Sequence, residues 1–468
     1  MENNNIKAEV VVIGAGPGGY VAAIRLAQLG KEVTLIEENA LGGVCLNRGC
    51  IPSKAMIYAS DSLDKIKKSS SMGINAENVS LDFPKMQEWK DKIVAKLNKG
   101  VEMLCKGNKI NVIKGTATFE SSSRLKISNN DGNSYVDFEK AVIATGSNPI
   151  EVPSLKFDSN KIIDSTDALN LKSIPNNFVV VGGGYIGLEL GTVYAKLGSK
   201  VSVVEMTGQL LPGTDKSVVD ILHKNIEKLN INVYLNSKAE KLENNKLIIG
   251  SKEKGTIQLD ADVVLVTVGR IPNAKNLSIE NTKVTLDNKG FVDVDETLKT
   301  KDENIYAIGD VTIGPMLAHK ASYQGKFVAE IIAGNKELYK NIVVPAVIFT
   351  DPEISVVGLS EKQALDKGIE TKTGKFPFSA LGKAITKNKT LGFVKVISDK
   401  SNDKIIGVEI IGNDSSDLIS ESALAIKMGA TLKDIESTIH PHPTMSESLM
   451  EAASAAMGKA IHILNPKL

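Results

Sequence analysis

The sequence predicts an α/β protein: two Rossmann-like dinucleotide-binding folds followed by a C-terminal α+β domain. Three observations lead there. A glycine cluster, Gly14-Ala15-Gly16-Pro17-Gly18-Gly19, follows an apolar run and precedes a helical pattern. A second cluster, Gly182-Gly183-Gly184-Tyr185-Ile186-Gly187, does the same, and Gly14 is as far from Glu37 as Gly182 is from Glu205. The last segment, opening near Ile342, alternates strand and helix patterns without any such cluster.

Composition bounds the rest. At 468 residues the chain is too long for one core, so about three domains are expected. Lys and Arg number 56 and Asp and Glu 55, which argues against a nucleic-acid or polybasic membrane role. No apolar run reaches transmembrane length. The start, Met1-Glu2-Asn3-Asn4-Asn5, has neither the basic and apolar regions of a signal peptide nor the arginines of a transit peptide. Three cysteines without a secretion signal fit the reducing cytoplasm.

Glu9 to Ile13 is the first strand, the helix runs from Tyr20 to Leu29, and Lys31 to Glu37 is the next strand, ending in an acid. Strand, glycine turn, helix, strand and acid, in that order, form the dinucleotide fingerprint in its required context. Gly14 allows the turn, Gly16 lets a pyrophosphate approach the backbone, and Gly19 lets helix and strand pack closely. The phosphates sit at a helix N-terminus, and Glu37 can take ribose hydroxyls. The second unit repeats this with strand Phe178 to Val181, Gly182, Gly184 and Gly187 in the turn, helix Leu188 to Leu197, strand Lys200 to Val204 and acid Glu205. Met206-Thr207-Gly208-Gln209 offers no arginine for a 2′-phosphate, so this site should prefer NAD over NADP.

Between the strands of the first unit and the rest lies Gly42-Gly43-Val44-Cys45-Leu46-Asn47-Arg48-Gly49-Cys50-Ile51-Pro52-Ser53-Lys54, with two of the three cysteines. Two thiols this close read first as a redox pair, with a structural disulfide or two buried cysteines as the alternative. Residues five apart in a helix are separated by about 7.5 Å along its axis. A disulfide needs its Cα atoms within roughly 7 Å, so the backbone must be distorted, and Gly49 and Pro52 permit it. Ala141 to Ser147 and Val263 to Arg270 are strands running into glycine turns, each followed by a proline. They mark the ends of the two nucleotide-binding folds. Asn304 to Asp310 is another strand, ending Gly-Asp, and Met316-Leu317-Ala318-His319 opens a helix. In the last segment, Gly392 to Ile397 and Ile405 to Ile411 are strands and Asp417 to Met428 a helix. Cys105 lies on a further helical stretch and reads as a buried small side chain.

The Gly42–Lys54 motif resembles the active-site signature of class I pyridine nucleotide–disulfide oxidoreductases. Its Cys-Leu-Asn-x-Gly-Cys-Ile-Pro-Ser-Lys form is most similar to the dihydrolipoyl dehydrogenase branch of that family. His440-Pro441-His442-Pro443-Thr444-Met445-Ser446-Glu447 resembles that branch's C-terminal signature, and the likeness is collinear over the chain. The resemblance implies an FAD-binding domain, residues 1–148 and 273–341, an NAD-binding domain, residues 149–272, and a dimerisation domain, residues 342–468. It implies FAD contacts from Gly14, Gly16, Gly19 and Glu37, and backbone contacts from Ala117, Thr145, Gly146 and Ser147. It adds Asp310 on the ribityl and phosphate region, with Met316, Leu317, Ala318 and His319 lining the flavin. Glu205 would bind the NAD adenosine ribose, with Gly269 near the cofactor.

By the same resemblance Cys45 is the interchange thiol, Cys50 the thiolate against the flavin, and Lys54 sits near the flavin and pairs with Glu189. His442 suits the proton acceptor, since imidazole titrates near neutral pH, and Glu447 can hold one of its ring nitrogens. His442 alternatively reads as a turn residue between two prolines, Glu189 as a solvated helix residue, and His440 as a structural member of the turn. Tyr185 is either packing or a lid on the nicotinamide pocket, as in glutathione reductase, where the dihydrolipoyl branch often carries an aliphatic residue. The family places the base across a two-fold interface, so a homodimer is expected. No lipoyl domain precedes the first strand, so the lipoyl group is expected on a partner, a lipoyl-bearing acyltransferase or a glycine cleavage carrier protein. Mercuric reductase fits less well because Ile461 to Leu468 holds no cysteine, glutathione reductase because of Glu205, and a soluble transhydrogenase because of the cysteine pair. A flavin- and NAD-binding sensor with an inert disulfide is the alternative from another class. No metal site is expected.

Overall fold

Val10, Val11, Val12 and Ile13 are all buried, and neighbouring side chains enter opposite cores. A strand covered on both faces has this pattern. In the computed structural model, which describes residues 5–465, this strand (Asn5–Ile13) is central to the sheet of the first of two units, Met1–Ser159, Ile163–Ser173 and Val268–Lys340. Val33–Glu37 pairs parallel with one edge of it and Gly132–Ile143 with the other. Asn111–Lys114 lies beyond Val33–Glu37, and Ile305–Ala307 pairs parallel with the end of Gly132–Ile143.

Val10, Val12 and Leu35 pack on Ala22, Ala23 and Leu26 of helix Pro17–Gln28 and on Phe327 and Val328 of helix Ala318–Ile332. Val11, Ile13 and Ile36 pack on Phe119, Leu125, Ile127 and Phe138. These last side chains come from an antiparallel meander, Thr116–Ser121, Arg124–Asn129 and the first half of Gly132–Ile143, which the sequence did not announce. Expected helix starts at Tyr20 and Leu188 move to Pro17 and Tyr185. In the first case the proline ring presets φ at a first-turn position, where the missing N–H costs nothing.

The second unit comprises Asn160–Ile162, Ile174–Thr267 and Asn341–Leu468. Its parallel sheet centres on Asn177–Val181, between Lys200–Val204 and Val263–Val266, with Asn232–Tyr234 outside. A three-stranded antiparallel sheet follows, Ser237–Glu243, Lys246–Ser251 and Gly255–Asp260. The C-terminal segment folds as a five-stranded antiparallel sheet in the order Ala346–Ile348, Ile354–Gly358, Ile405–Ile411, Phe393–Asp399, Thr371–Pro377. Ile419, Leu432 and Leu449, from helices Ser415–Met428, Leu432–Ser437 and Glu447–Ala456, close its core against Phe376, Val394 and Val408.

The chain enters and leaves the second Rossmann fold through a short antiparallel pair, Ser147–Pro149 with Arg270–Pro272, both in the first unit. Among the described residues no helix is long and apolar enough to cross a membrane.

Candidate active site

The first fingerprint folds as its spacing requires. A Cβ at Gly19 would meet the Gly14 carbonyl oxygen at 1.8 Å, so only glycine fits. Glu37 grips the loop it closes: its Oε2 accepts the Ala15 N–H at 2.7 Å and its Oε1 the Asn39 N–H at 2.8 Å. A Cβ at Gly16 would have no heavy atom within 4 Å, and no side chain caps the helix that starts there. An open backbone cradle at an uncapped helix N-terminus fits a pyrophosphate.

The cysteine motif leans on this cradle. Gly42 N–H donates to the Ala15 carbonyl at 2.8 Å, and a Cβ at Gly43 would lie 2.5 Å from the Gly16 Cα. Helix Gly43–Arg48 carries Cys45; at Gly49, with φ −146° and ψ −108°, the helix breaks, and Cys50 opens the helix Cys50–Lys67. Cys45 and Cys50 are brought together here as a pair of thiols whose side chains hydrogen-bond to each other. The break at Gly49 allows that contact, and the thiol pair is the reduced half of a disulfide couple. The Cys50 contact, then burial, pushes the Cys45 thiol far up; the Lys54 charge opposes the shift. Cys45 therefore keeps its proton, while the helix N-terminus favours negative charge on Cys50. Cys105, on helix Phe83–Gly107, is buried as expected.

Asp310 sits at the end of a relay. Arg270 Nε donates to Ser147 Oγ at 2.7 Å, and Ser147 Oγ donates to Asp310 Oδ2 at 2.7 Å. Thr145 Oγ1 donates to the Asn273 carbonyl at 2.6 Å, and the Asn273 N–H donates to the Gly146 carbonyl at 2.9 Å. Met316 precedes, and Leu317 caps, the helix that holds Ala318 and His319. Lys320, 3% exposed, lies on the same helix; burial lowers it from its ordinary range, and Asp310 opposes that shift. Ala117 is buried on the meander strand Thr116–Ser121.

The second fingerprint repeats the grip. Glu205 accepts the Gly183 N–H on Oε2 and the Thr207 N–H on Oε1, both at 2.7 Å. A Cβ at Gly187 would meet the Gly182 carbonyl oxygen at 2.6 Å. At Gly184 the nearest atom to a Cβ is the Thr267 carbonyl oxygen at 4.0 Å, and the helix there is uncapped too. Tyr185 is 40% exposed. Glu189 is 4% exposed rather than solvated, and its Oε1 accepts the Phe349 N–H at 2.9 Å. Gly269 belongs to the first unit and adopts φ +140°, beside Ile150.

His442 and Glu447 lie in the second unit, the cysteines in the first. His442 Nδ1 meets Glu447 Oε1 at 2.8 Å, and Glu447 Oε2 accepts the Thr444 N–H at 2.7 Å. Burial would raise the Glu447 carboxyl, but the Thr444 N–H and His442 hold it below its ordinary value. His440 is held by the Thr438 carbonyl and Glu421, both at 2.9 Å, so it structures the turn.

Residues 8–325 match the pyridine nucleotide-disulphide oxidoreductase family, and residues 344–453 match its dimerisation domain. The chain belongs to this family. Among relatives in the pyridine nucleotide-disulphide oxidoreductase family, a dihydrolipoyl dehydrogenase of Geobacillus stearothermophilus is 50% identical over 462 residues, 98% of each chain. One from Bacillus subtilis is 47% identical over 463 residues, again 98% of each. Among solved structures, LpdA of Mycobacterium tuberculosis matches with TM-score 0.88 and 25% identity, over 96% of this chain and 99% of that one. The HOCl-induced flavoprotein disulfide reductase RclA of Escherichia coli matches with TM-score 0.84 and 28% identity, over 95% and 99%. Sequence reasoning missed Arg270, Lys320 and Thr444 in this family member. Arg270 alone carried a signal, as a charge immediately after the Val-Gly turn.

Proposed function

We propose that this protein oxidises a dihydrolipoyl group, carried on a partner protein, to the lipoyl disulfide while reducing NAD⁺ to NADH. The observation that carries the reading is the pair of touching thiols at the helix break, seated against the first glycine cradle. In the working cycle the pair begins as the Cys45–Cys50 disulfide. His442 takes a proton from one substrate thiol on its outer nitrogen, Nε2, while Glu447 holds Nδ1. The substrate thiolate attacks Cys45 Sγ, and Cys50 leaves as a thiolate that the helix N-terminus stabilises. The second substrate thiol then displaces Cys45, which ends as the protonated thiol. The chemistry FAD supplies when bound is passage of the electron pair from these thiols to NAD⁺, re-forming the disulfide.

Gly14, Gly16, Gly19, Glu37, Ala117, Thr145, Gly146, Ser147 and Asp310 would hold FAD, with Lys54 and Met316 to His319 beside the flavin. Gly182, Gly184, Gly187, Glu205 and Gly269 would hold NAD, with Tyr185 at its pocket and Glu189 pairing with Lys54. The division into residues 1–148 with 273–341, 149–272 and 342–468 follows these roles. The dimerisation domain supports a homodimer in which His442 of one subunit serves the thiols of the other. The partner is a lipoyl-bearing acyltransferase or glycine cleavage carrier protein, and the compartment is the cytoplasm, where a thiol pair stays cyclable. The test is NAD⁺ reduction with dihydrolipoamide against NADPH oxidation with glutathione disulfide. Robust turnover only in the second assay would overturn the reading.

A further inference from the structure

Three of the chain's five histidines fall between residues 440 and 462, and each faces a carboxylate. The proposed reaction uses one of these pairs. His440 with Glu421 holds the turn. The third is unassigned: His462 Nδ1 meets Glu451 Oε1 at 2.7 Å. Glu451 follows Glu447 by four residues on helix Glu447–Ala456, so the two carboxylates share a face, with Cβ atoms about 5–6 Å apart. Glu451 is 5% exposed, and its Oε2 is buried without a hydrogen-bond partner. A buried carboxylate left half satisfied is costly unless a cation accompanies it, and His462 is the group in contact with it.

We infer that His462, gripped by Glu451 one helical turn beyond Glu447, is a positioning residue for the proton-accepting His442–Glu447 pair. This rests on the function proposed above. Oxidising the substrate dithiol with the Cys45–Cys50 disulfide frees two protons: one ends on Cys45, Cys50 remains a thiolate, and the other proton must leave through His442. Glu447 alone would hold an imidazolium tightly and slow that exit. When it carries a proton, His462 shares the field of Glu447 and loosens the hold. Consistent with this, His462 is among the groups that keep Glu447 below its ordinary value, after burial, which opposes the shift, and after Thr444 and His442. The other charged groups on elements packed against this helix have partners of their own. Lys372 meets Asp403, and Lys375 lies over the Phe393 ring. Lys395 meets Asp215, Glu361 and Glu409. Asp399 accepts from Ser401, Lys433 meets Glu436, and Asp434 accepts from Thr431.

The experiment compares the parent holoenzyme with His462→Gln and His462→Lys. In His462→Gln the acid limb of kcat/KM for dihydrolipoamide moves to higher pH by about half a unit or more, and the His442 imidazole transition followed by NMR moves with it. His462→Lys, which keeps a positive charge, leaves both near the parent. An unmoved limb and transition in His462→Gln, or an equal displacement in His462→Lys, would sink the inference. A purely structural role would lower thermal stability in both variants without moving either readout. If the parent fails to oxidise dihydrolipoamide the functional reading falls, yet the NMR transition still decides the role of His462.

Discussion

The two glycine loops share one design and differ in what leans on them. In each, an acid at the end of the next strand takes two backbone N–H groups, and the central glycine is left open above an uncapped helix. Against the first loop stands Gly43, at the head of the helix that carries Cys45. Against the second stand Leu210 and Leu211, the latter donating its N–H to the Gly183 carbonyl at 2.9 Å. Tyr20, after the first loop, is partly buried, and burial and then Cys45 raise its hydroxyl above the ordinary value. Tyr185, after the second, is 40% exposed, and Met206 is 66% exposed. The lesson is that one fold serves two kinds of occupancy. The first loop cannot shift without shifting the thiols, which suits a resident cofactor. The second is flanked instead by the exposed side chains of Tyr185 and Met206.

The strongest way to break this contrast is at the thiols. Cys50→Ser should cut dihydrolipoamide-dependent NAD⁺ reduction by at least about 10³-fold while flavin content stays at the parent level. Loss of flavin together with activity would mean that the helix serves the cradle rather than the chemistry. Next comes Gly43→Val. Its Cβ has no room beside Gly16, so flavin retention, activity and stability should fall together, stability by about 2 kcal/mol or more in thermal unfolding. Gly184→Ala tests the second loop, where the space is open. It should leave flavin and stability intact and raise only the KM for NAD⁺. Glu205→Gln should raise that KM by about tenfold, or ~1.4 kcal/mol, with flavin retained, whereas Glu37→Gln should lose flavin on gel filtration.

The smallest effect lies outside both loops. Glu447 is depressed in the folded protein, so its contribution to stability is present above the unfolded carboxylate value of about 4.3. It disappears as pH falls through the lower folded value. Glu447→Gln should therefore be less stable than the parent at neutral pH, by under about 1 kcal/mol, and converge with it in acid. Denaturation midpoints at several pH values check this.

What the sequence reveals depends on how local the physics is. The fingerprints are legible because their glycines answer to contacts within a few residues, such as Gly19 against the Gly14 carbonyl. The break between Cys45 and Cys50 is legible because helix geometry forbids their contact. The strands Ser237–Glu243 and Gly255–Asp260 are not, since their polar, half-exposed residues lack a clean alternation. Nor is the tie from Arg270 to Ser147, which spans a whole intervening fold. The oxidation state of the cysteine pair is not legible either, because it is set by surroundings rather than by residue identity.

The short ladder of Ser147–Pro149 against Arg270–Pro272 has one more implication. The Ile150 N–H donates to the Gly269 carbonyl at 3.0 Å, so the outgoing and returning chain run side by side like the two leaves of a hinge plate. Yet the excursion that this ladder opens and closes does not stand alone: Lys196, Glu189 and Asp215 bind Asp351, Phe349 and Lys395 of the C-terminal segment, so the two pieces fold as one body and would have to be transplanted together.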